Sequence, residues 1–389
     1  MREVAIIGVG ETKFGELWER SFRELGIEAG FKAMEDANIQ GDDIDALFVG
    51  NMSAGQLIDQ EHIAPLIADY SGFAEQNLPA IRIEAASASG GLALSQAYMA
   101  VASGVHDVVV VGGAEKMTDV GEESAQEILA ETADQEWEEV FGATLGSLYA
   151  MMARRHMHDY GTTKEQLAAV AVKNHLNGSM NPNAQFGREI TMDMALGAPM
   201  VASPLGTFDC APLSDGAAAV ILCPLEDAKK YNDTPIRILS CGQAGDYMAL
   251  HDRESITRMD ATTVAARKAF KYASLEPKDI SLAEVHDCFT ISEIMAIEDI
   301  GFFGKGEGGK ATADGETALN ARVSVNTSGG LKAKGNPVGA VGVSQAVEAV
   351  TQLRGEAGDR QVTGAEVALM HNIGGTGSTC IVHLLGRCD

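Results

Sequence analysis

No uninterrupted apolar run in this chain reaches membrane-spanning length, and no charged-then-apolar segment opens it. Neither an anchor nor a secretory leader is therefore evident, and a cytoplasmic location is the expectation. Basic residues are scarce, with 29 lysines and arginines against 55 aspartates and glutamates, a net charge of −26. That balance argues against nucleic acid and anionic membrane as partners, and it also suits a salty cytoplasm. None of the six cysteines (Cys210, Cys223, Cys241, Cys288, Cys380 and Cys388) stands in a CxxC pair. Reduced thiols fit that scatter better than a disulfide frame or a zinc site, so no metal is expected.

What is present is core and turn material: 389 residues, 46% apolar, with 43 glycines. One stretch organises the rest, IRIEAASASGG from Ile81 to Gly91. Its apolar start gives way to Ser-Ala-Ser-Gly-Gly and then to LALSQAYMAVASG, whose apolar spacing is helical with Gly104 as its stop. This is a strand-turn-helix elbow, and Ser87 sits where the positive end of a helix stabilises developing negative charge. The competing reading is that Ser87 or Ser89 caps the helix.

In chain order, VAIIGVG (Val4 to Gly10) reads as a buried strand, followed by a helix from about Phe22 to Asn38 and a strand from Ile44 to Gly50. The arrangement recurs. Ala29, Lys32, Ala33, Ala37 and Asp43 are echoed by Ala265, Lys268, Ala269, Ala273 and Asp279, and Ser95-Gln96-Ala97 by Ser344-Gln345-Ala346. Strands from Val108 to Gly113 and from Val367 to Gly375 follow their helices at comparable distances. Several ordered matches indicate two copies of one βα unit, hence an internally duplicated α/β protein with a mainly parallel sheet in each half. Ser87 then falls opposite Asn336, and the two elbows meet near a pseudo-twofold axis.

Between the halves the composition shifts to Met, His, Trp and Asn, read as an inserted helical lid interrupted by the strand AAAVILC. The expected domains are 1–118 plus 217–245, a lid at 119–216, and 246–389. Its methionines read as core filling more readily than as a substrate groove. His156, His158 and His175 read as packing or surface residues, since no carboxylate-histidine pattern accompanies them.

Four segments carry the chemistry: AASASGG around Ser87, EVHDCFT around His286 and Cys288, NTSGGLKAKGNPVGAVG around Asn336, and HNIGGTGS around His371 and Gly374. With VAIIGVGETKFG and GGAEKMTDV, they resemble the thiolase family over essentially the whole chain. The likeness is strongest to archaeal acetyl-CoA acetyltransferases and sterol-carrier-protein-type thiolases, where HDCF replaces NEAF. The resemblance implies a layered α-β-α-β-α fold and a homo-oligomer, dimer or tetramer, that condenses two acetyl-CoA molecules or cleaves a 3-ketoacyl-CoA. Coenzyme A is then a substrate, and no cofactor is expected.

By resemblance Ser87 takes the acyl-carrying position, Asn336 that of the activating histidine, and His286 a thioester-oxygen or water-binding position. Cys288 becomes the α-proton acid/base, in place of the CxG cysteine whose position Asn372 holds. Gly329, Gly330, Gly374 and Gly375 would let backbone approach the pantetheine, with Lys332 among the few nearby cations. Two departures stand out, Ser87 for Cys and Asn336 for His. A serine hydroxyl depends on a base more than a thiol does, which leaves His371 or His286 as substitutes. Asn336 followed by Pro337 reads as an N-cap and first-turn pair, so the helix is expected to survive the change.

Three functions compete: a thiolase-type acyltransferase, a thiolase-fold aldolase or lyase acting on an acyl-CoA, and an acyl-CoA-binding scaffold that has lost turnover. The resemblance also implies a small separate subunit with an OB-fold and zinc ribbon, bridging to HMG-CoA synthase, because no segment here looks like that module.

Overall fold

The computed structural model describes residues 1–388. Its strands are β1 (Val4–Glu11), β2 (Ala46–Gly50), β3 (Ala80–Ile83), β4 (Val109–Glu115), β5 (Met200–Ala202), β6 (Leu205–Gly206), β7 (Gly216–Pro224), β8 (Ile236–Gly245), β9 (Leu282–Glu284), β10 (Ser324–Val325), β11 (Val367–Gly374) and β12 (Thr379–Arg387). Ten of them run in the order β10-β9-β11-β12-β8-β1-β7-β4-β2-β3. Read outward from the middle, each half repeats one pattern, so the duplication is real: β1, β7, β4, β2, β3 correspond to β8, β12, β11, β9, β10.

Two expectations change. Each half is mixed rather than mainly parallel: β2 is parallel to β3 and β4, but β7 is antiparallel to β4 and β1, and the second half repeats this. The reason is connectivity, since β11 turns straight into β12 without the crossover helix a parallel pair needs. The halves are also joined edge to edge, by the short antiparallel contact Ala5↔Arg237 and Ile6↔Ile236. Strand β8 pairs with β12 from Ile236 to Gly245, which groups it with the second half and puts the seam between β7 and β8.

The sheet folds around two central helices, Ser89–Ser103 and Val341–Arg354. Their apolar residues, among them Leu94, Val101, Val343 and Val350, pack against Val109 and Val220 of one half and Ala368 and Leu385 of the other. Each fully buried side chain of this kind contributes roughly 1.5–3 kcal/mol. The helices Phe22–Ala37 and Asp260–Ala273 cover the outer faces, which completes the five layers. The first starts at a Ser21/Glu24 capping box and stops at Asn38 in the left-handed conformation.

Residues between β4 and β7 form the lid, with helices Glu122–Ala130, Leu145–Tyr160, Lys164–Ser179 and Met192–Leu196. Met152 fills the core, but Met151, Met192, Met194 and Met200 are exposed, so core filling accounts for only part of the lid's methionine. The lid histidines behave as packing or surface residues: buried His156 bonds Thr162 (2.7 Å) and Glu298 (3.0 Å), exposed His158 pairs with Asp159, and His175 stacks near Phe186. Among the described residues no cluster of His, Cys, Asp or Glu is placed to hold a metal, and no helix is long and apolar enough to cross a membrane.

Candidate active site

The elbow forms as the sequence indicates: β3 ends at Ile83 and the central helix begins at Ser89. Between them Ala86 adopts φ +51°, a conformation that costs an L-residue of this kind of order 1–3 kcal/mol and persists only where surroundings enforce it. Ser89 enforces it. Its buried Oγ accepts the Ala85 N–H at 2.9 Å and donates to the Ala86 carbonyl at 2.6 Å. The structural serine is therefore Ser89, whereas among the described residues no hydrogen bond ties down Oγ of Ser87. Ser87 opens instead onto a cavity of about 510 Å³, next to the positive end of the helix.

The second elbow enters the same cavity, and Asn336 lines it. The sequence suggests Asn336 as an N-cap, but the following helix starts at Val341 with Ala340 at the cap. Freed from capping, Asn336 donates its backbone N–H to Ser214 Oγ (2.8 Å) and leaves its buried side-chain Oδ1 without a partner among the described residues. The two central helices meet closely here. A Cβ on Gly342 would lie 2.2 Å from the Gly91 nitrogen, and one on Gly90 would lie 2.7 Å from the Gly339 carbonyl, so only glycine permits this approach.

Asn372 occupies the wedge between those helix starts. Its Oδ1 accepts the Gly91 N–H (3.3 Å), which turns Nδ2 toward Nδ1 of His286 at 3.2 Å. An amide N–H facing Nδ1 makes that nitrogen the acceptor, so the proton of neutral His286 resides on Nε2. Burial, with His371 nearby, pushes His286 down to about 3. It is thus built as a neutral N–H donor, not as a base. His371 is buried in β11, with Nδ1 facing the His286 N–H (3.3 Å) and Nε2 facing Thr262 Oγ1 (2.9 Å). It supports the His286 loop, and neither His371 nor His286 lines the cavity, so neither is placed to replace the missing base.

Cys288 lines the cavity, and its carbonyl accepts the Ala211 N–H at 2.9 Å. Burial pushes its thiol up to about 12, with the neighbouring Tyr149 hydroxyl opposing that rise in part. Tyr149 is fully buried, stacks on Phe289 at 4.5 Å and donates its hydroxyl to the Gly375 carbonyl at 3.0 Å. The phenol thus ties the lid helix to the HNIGG turn beside the thiol. Sequence reasoning missed Tyr149, which sits among methionines in a helix with no motif around it.

Of the glycines, Gly375 (φ +57°) lines the cavity. Gly374 approaches the elbow, where an added Cβ would lie 2.5 Å from the Ala85 carbonyl. Gly329 and Gly330 pack away from the cavity, against Gly178 of the lid and the Asp287 carboxylate. Asp287 in turn accepts the backbone N–H groups of Leu331 (2.6 Å) and Lys332 (3.2 Å), locking the HDCF segment to the GGLK segment. Lys332 lines the cavity.

A duplicated five-layer fold with two helix starts converging on one cavity is the architecture of the thiolase class. Residues 4–226 match the family Thiolase, N-terminal domain, and residues 242–387 match Thiolase C-terminal domain-like. The chain belongs to the thiolase family. It is 58% identical over 387 residues to an acetyl-CoA acetyltransferase of Methanothermobacter thermautotrophicus, covering all of both chains. It is 36% identical to the benzoylsuccinyl-CoA thiolase subunit BbsB of Thauera aromatica, covering 96% of this chain and 95% of that one. Among solved structures, the Ltp2-ChsH2(DUF35) aldolase superposes with a TM-score of 0.86 at 29% identity, covering 99% of this chain and 98% of that one.

Proposed function

We propose that this chain is an acyl-CoA C-acyltransferase of the thiolase type, in which Ser87 carries the acyl group. The observation that supports this best is the elbow itself, where Ser89 holds the turn and the Ser87 hydroxyl is left free in the cavity at the helix start. Identity to a named acetyl-CoA acetyltransferase over the full length supports the same reading. In the proposed reaction the Ser87 oxygen attacks the thioester carbon, CoA leaves as its thiol with the serine proton, and the oxyanion is held by helix-start N–H groups. Cys288 exchanges the α-proton of the second acyl-CoA. Asn336 Oδ1 accepts a hydrogen bond from substrate or water but takes no proton.

The same site favours a second reading on one observation: the thiol and imidazole are both absent at positions 87 and 336 while the oxyanion donors and Cys288 remain. A retro-aldol cleavage needs an acid/base and an oxyanion site but no acyl-enzyme, and the structural neighbour with the TM-score of 0.86 is named an aldolase. Mass spectrometry after incubation with acetyl-CoA separates the readings. An acetyl adduct on Ser87 supports transfer, aldol turnover without an adduct supports the lyase, and tight binding with neither supports a scaffold.

We further propose a cytoplasmic homodimer or tetramer that joins through the edge strand β3, whose Ile81 is exposed, and that works with a small OB-fold/zinc-ribbon subunit and HMG-CoA synthase. The aldolase neighbour is named together with a DUF35 protein, which supports such a subunit. Sub-micromolar CoA affinity of the isolated chain by calorimetry would remove the reason for proposing it.

A further inference from the structure

Four lysines are buried among the described residues, and three of them have an obvious reason to be. Lys116 pairs with Asp215 at 2.9 Å, Lys173 with Glu293 at 2.9 Å and Lys334 with Glu11 at 2.9 Å. A buried ammonium normally requires such a partner, because its desolvation costs several kcal/mol. Lys332 is as buried as the others, at 2% exposure, yet among the described residues no carboxylate lies within ion-pairing distance of its Nζ. It is also the one buried lysine that lines the cavity shared by Ser87 and Asn336.

The surroundings of Nζ offer cation-compatible surface but no counter-charge. The rings of Phe186 and Phe208 lie 5.6 and 5.7 Å away, and both line the cavity. The nearby carboxylates are committed elsewhere: Asp287 to Leu331 N–H, Lys332 N–H and Asn174, and Asp209 to Gly206 N–H and Thr290. The adjacent His175 is neutral, pushed down to about 4 by burial and by Lys332 itself. Burial also lowers Lys332, to about 8, which leaves the amine mostly protonated at neutral pH. A protonated amine held in a substrate cavity by two aromatic faces, with no carboxylate in ion-pairing contact among the described residues, is completed by an anion that arrives with the ligand.

We propose that Lys332 forms an anion subsite for the acyl end of the substrate, and that this protein takes acyl-CoA esters whose acyl chain carries a carboxylate. This rests on the acyl-CoA reading above and deepens it by naming the substrate class. Two five-carbon esters test it, because they share the whole of CoA and differ in the terminal group: glutaryl-CoA and valeryl-CoA, each titrated into the purified full-length protein by calorimetry at pH 7. The expected result is tighter binding of glutaryl-CoA by about 10- to 100-fold, the range of a charge-assisted hydrogen bond. Lys332→Met should abolish that preference while leaving valeryl-CoA affinity within a few-fold, and Lys332→Arg should retain a preference. The comparison of the two esters on the unaltered protein stands even if Lys332→Met does not fold. Equal affinities, or a Lys332→Met loss of the same size for both esters, would overturn the subsite and leave the acyl-CoA reading intact. Failure of both esters to bind would overturn both readings, and failure of glutaryl-CoA alone would overturn the subsite.

Discussion

Replacing each elbow serine by alanine separates scaffold from chemistry. Ser89 Oγ is the sole partner of the Ala85 N–H, whereas the Ala86 carbonyl also accepts the Ser89 backbone N–H at 3.1 Å. Ser89→Ala therefore orphans one half-buried donor, at a cost of at most about 1–3 kcal/mol. A chain of 389 residues has an unfolding entropy of about 0.8 kcal/mol/K, so its melting temperature should fall by at most about 1–4 °C. Relaxation of the left-handed Ala86 should also displace Ser87 and slow acylation. Ser87→Ala removes a hydroxyl with no partner, so stability should stay within about 0.5 kcal/mol while the acetyl adduct disappears. Calorimetric scans and intact-mass measurements after acetyl-CoA treatment read both effects on the same samples. The assignment of roles is refuted if Ser87→Ala is the more destabilising change, or if it still acquires one acetyl group at the elbow.

The combined change Ser87→Cys with Asn336→His should raise acetoacetyl-CoA thiolysis far beyond the product of the single effects, because nucleophile and base act as one unit; additive small gains in a thiolysis assay would count against a thiolase site on this elbow. Cys288→Ala should abolish hydrogen-deuterium exchange at the α-carbon of bound acyl-CoA while CoA affinity stays within a few-fold, and unchanged exchange would reduce Cys288 to a packing residue. The contribution of the buried histidines to stability should fall in mild acid, while buried carboxylates such as Glu115, raised to about 7 by burial, act in the opposite sense. Burial holds His286 and His371 near 3, below the unfolded value of about 6.5, so between those limits the unfolded chain binds protons that the folded chain refuses. Their contribution is complete above pH 6.5 and declines as pH drops, by about 1.4 kcal/mol per pH unit for each histidine. Urea midpoints at pH 7 and 5 measure the slope, and His371→Asn should reduce it by one proton.

The elbow, the duplication and the convergence of Ser87 with Asn336 were legible because they rest on local signals: apolar period, a terminal Gly104, and echoed helices. Strand direction in β7 and β12 was not, because an antiparallel hairpin and a parallel crossover can bury the same alternation of residues. Position 336 misled for a related reason. Asn-Pro is a good helix start by local chemistry, yet the helix begins at Val341 because the approach of Gly342 to Gly91 fixes where the second elbow must turn. The roles of the histidines lay beyond reach of sequence altogether. Whether a ring is base or donor depends on what faces its other nitrogen, and for His286 that is Asn372, 86 residues away in the chain.

Asn372 and Asn336 together explain how the site can lose two reactive groups and still keep its shape. Each asparagine occupies a position where the resemblance expects a residue that handles protons, and neither amide titrates. Asn372 has both ends in use, bridging a helix start to the His286 ring, so it fixes that ring rather than meeting substrate. Asn336 has its oxygen unused, and an unpaired buried acceptor is worth about 1–3 kcal/mol to any donor that reaches it. On the proposed reading the asparagines can hold carbonyl oxygens and one hydroxyl or water, and α-proton exchange falls to Cys288, which lines the cavity. Acyl transfer through Ser87 demands that the serine proton leave by way of bound water or substrate, a slow step at neutral pH, whereas α-proton exchange needs nothing that is missing. Exchange at the α-carbon should accordingly outpace acetylation of Ser87 in the same preparation, and an acetylation rate equal to or above the exchange rate would show that a base is present which this geometry does not contain.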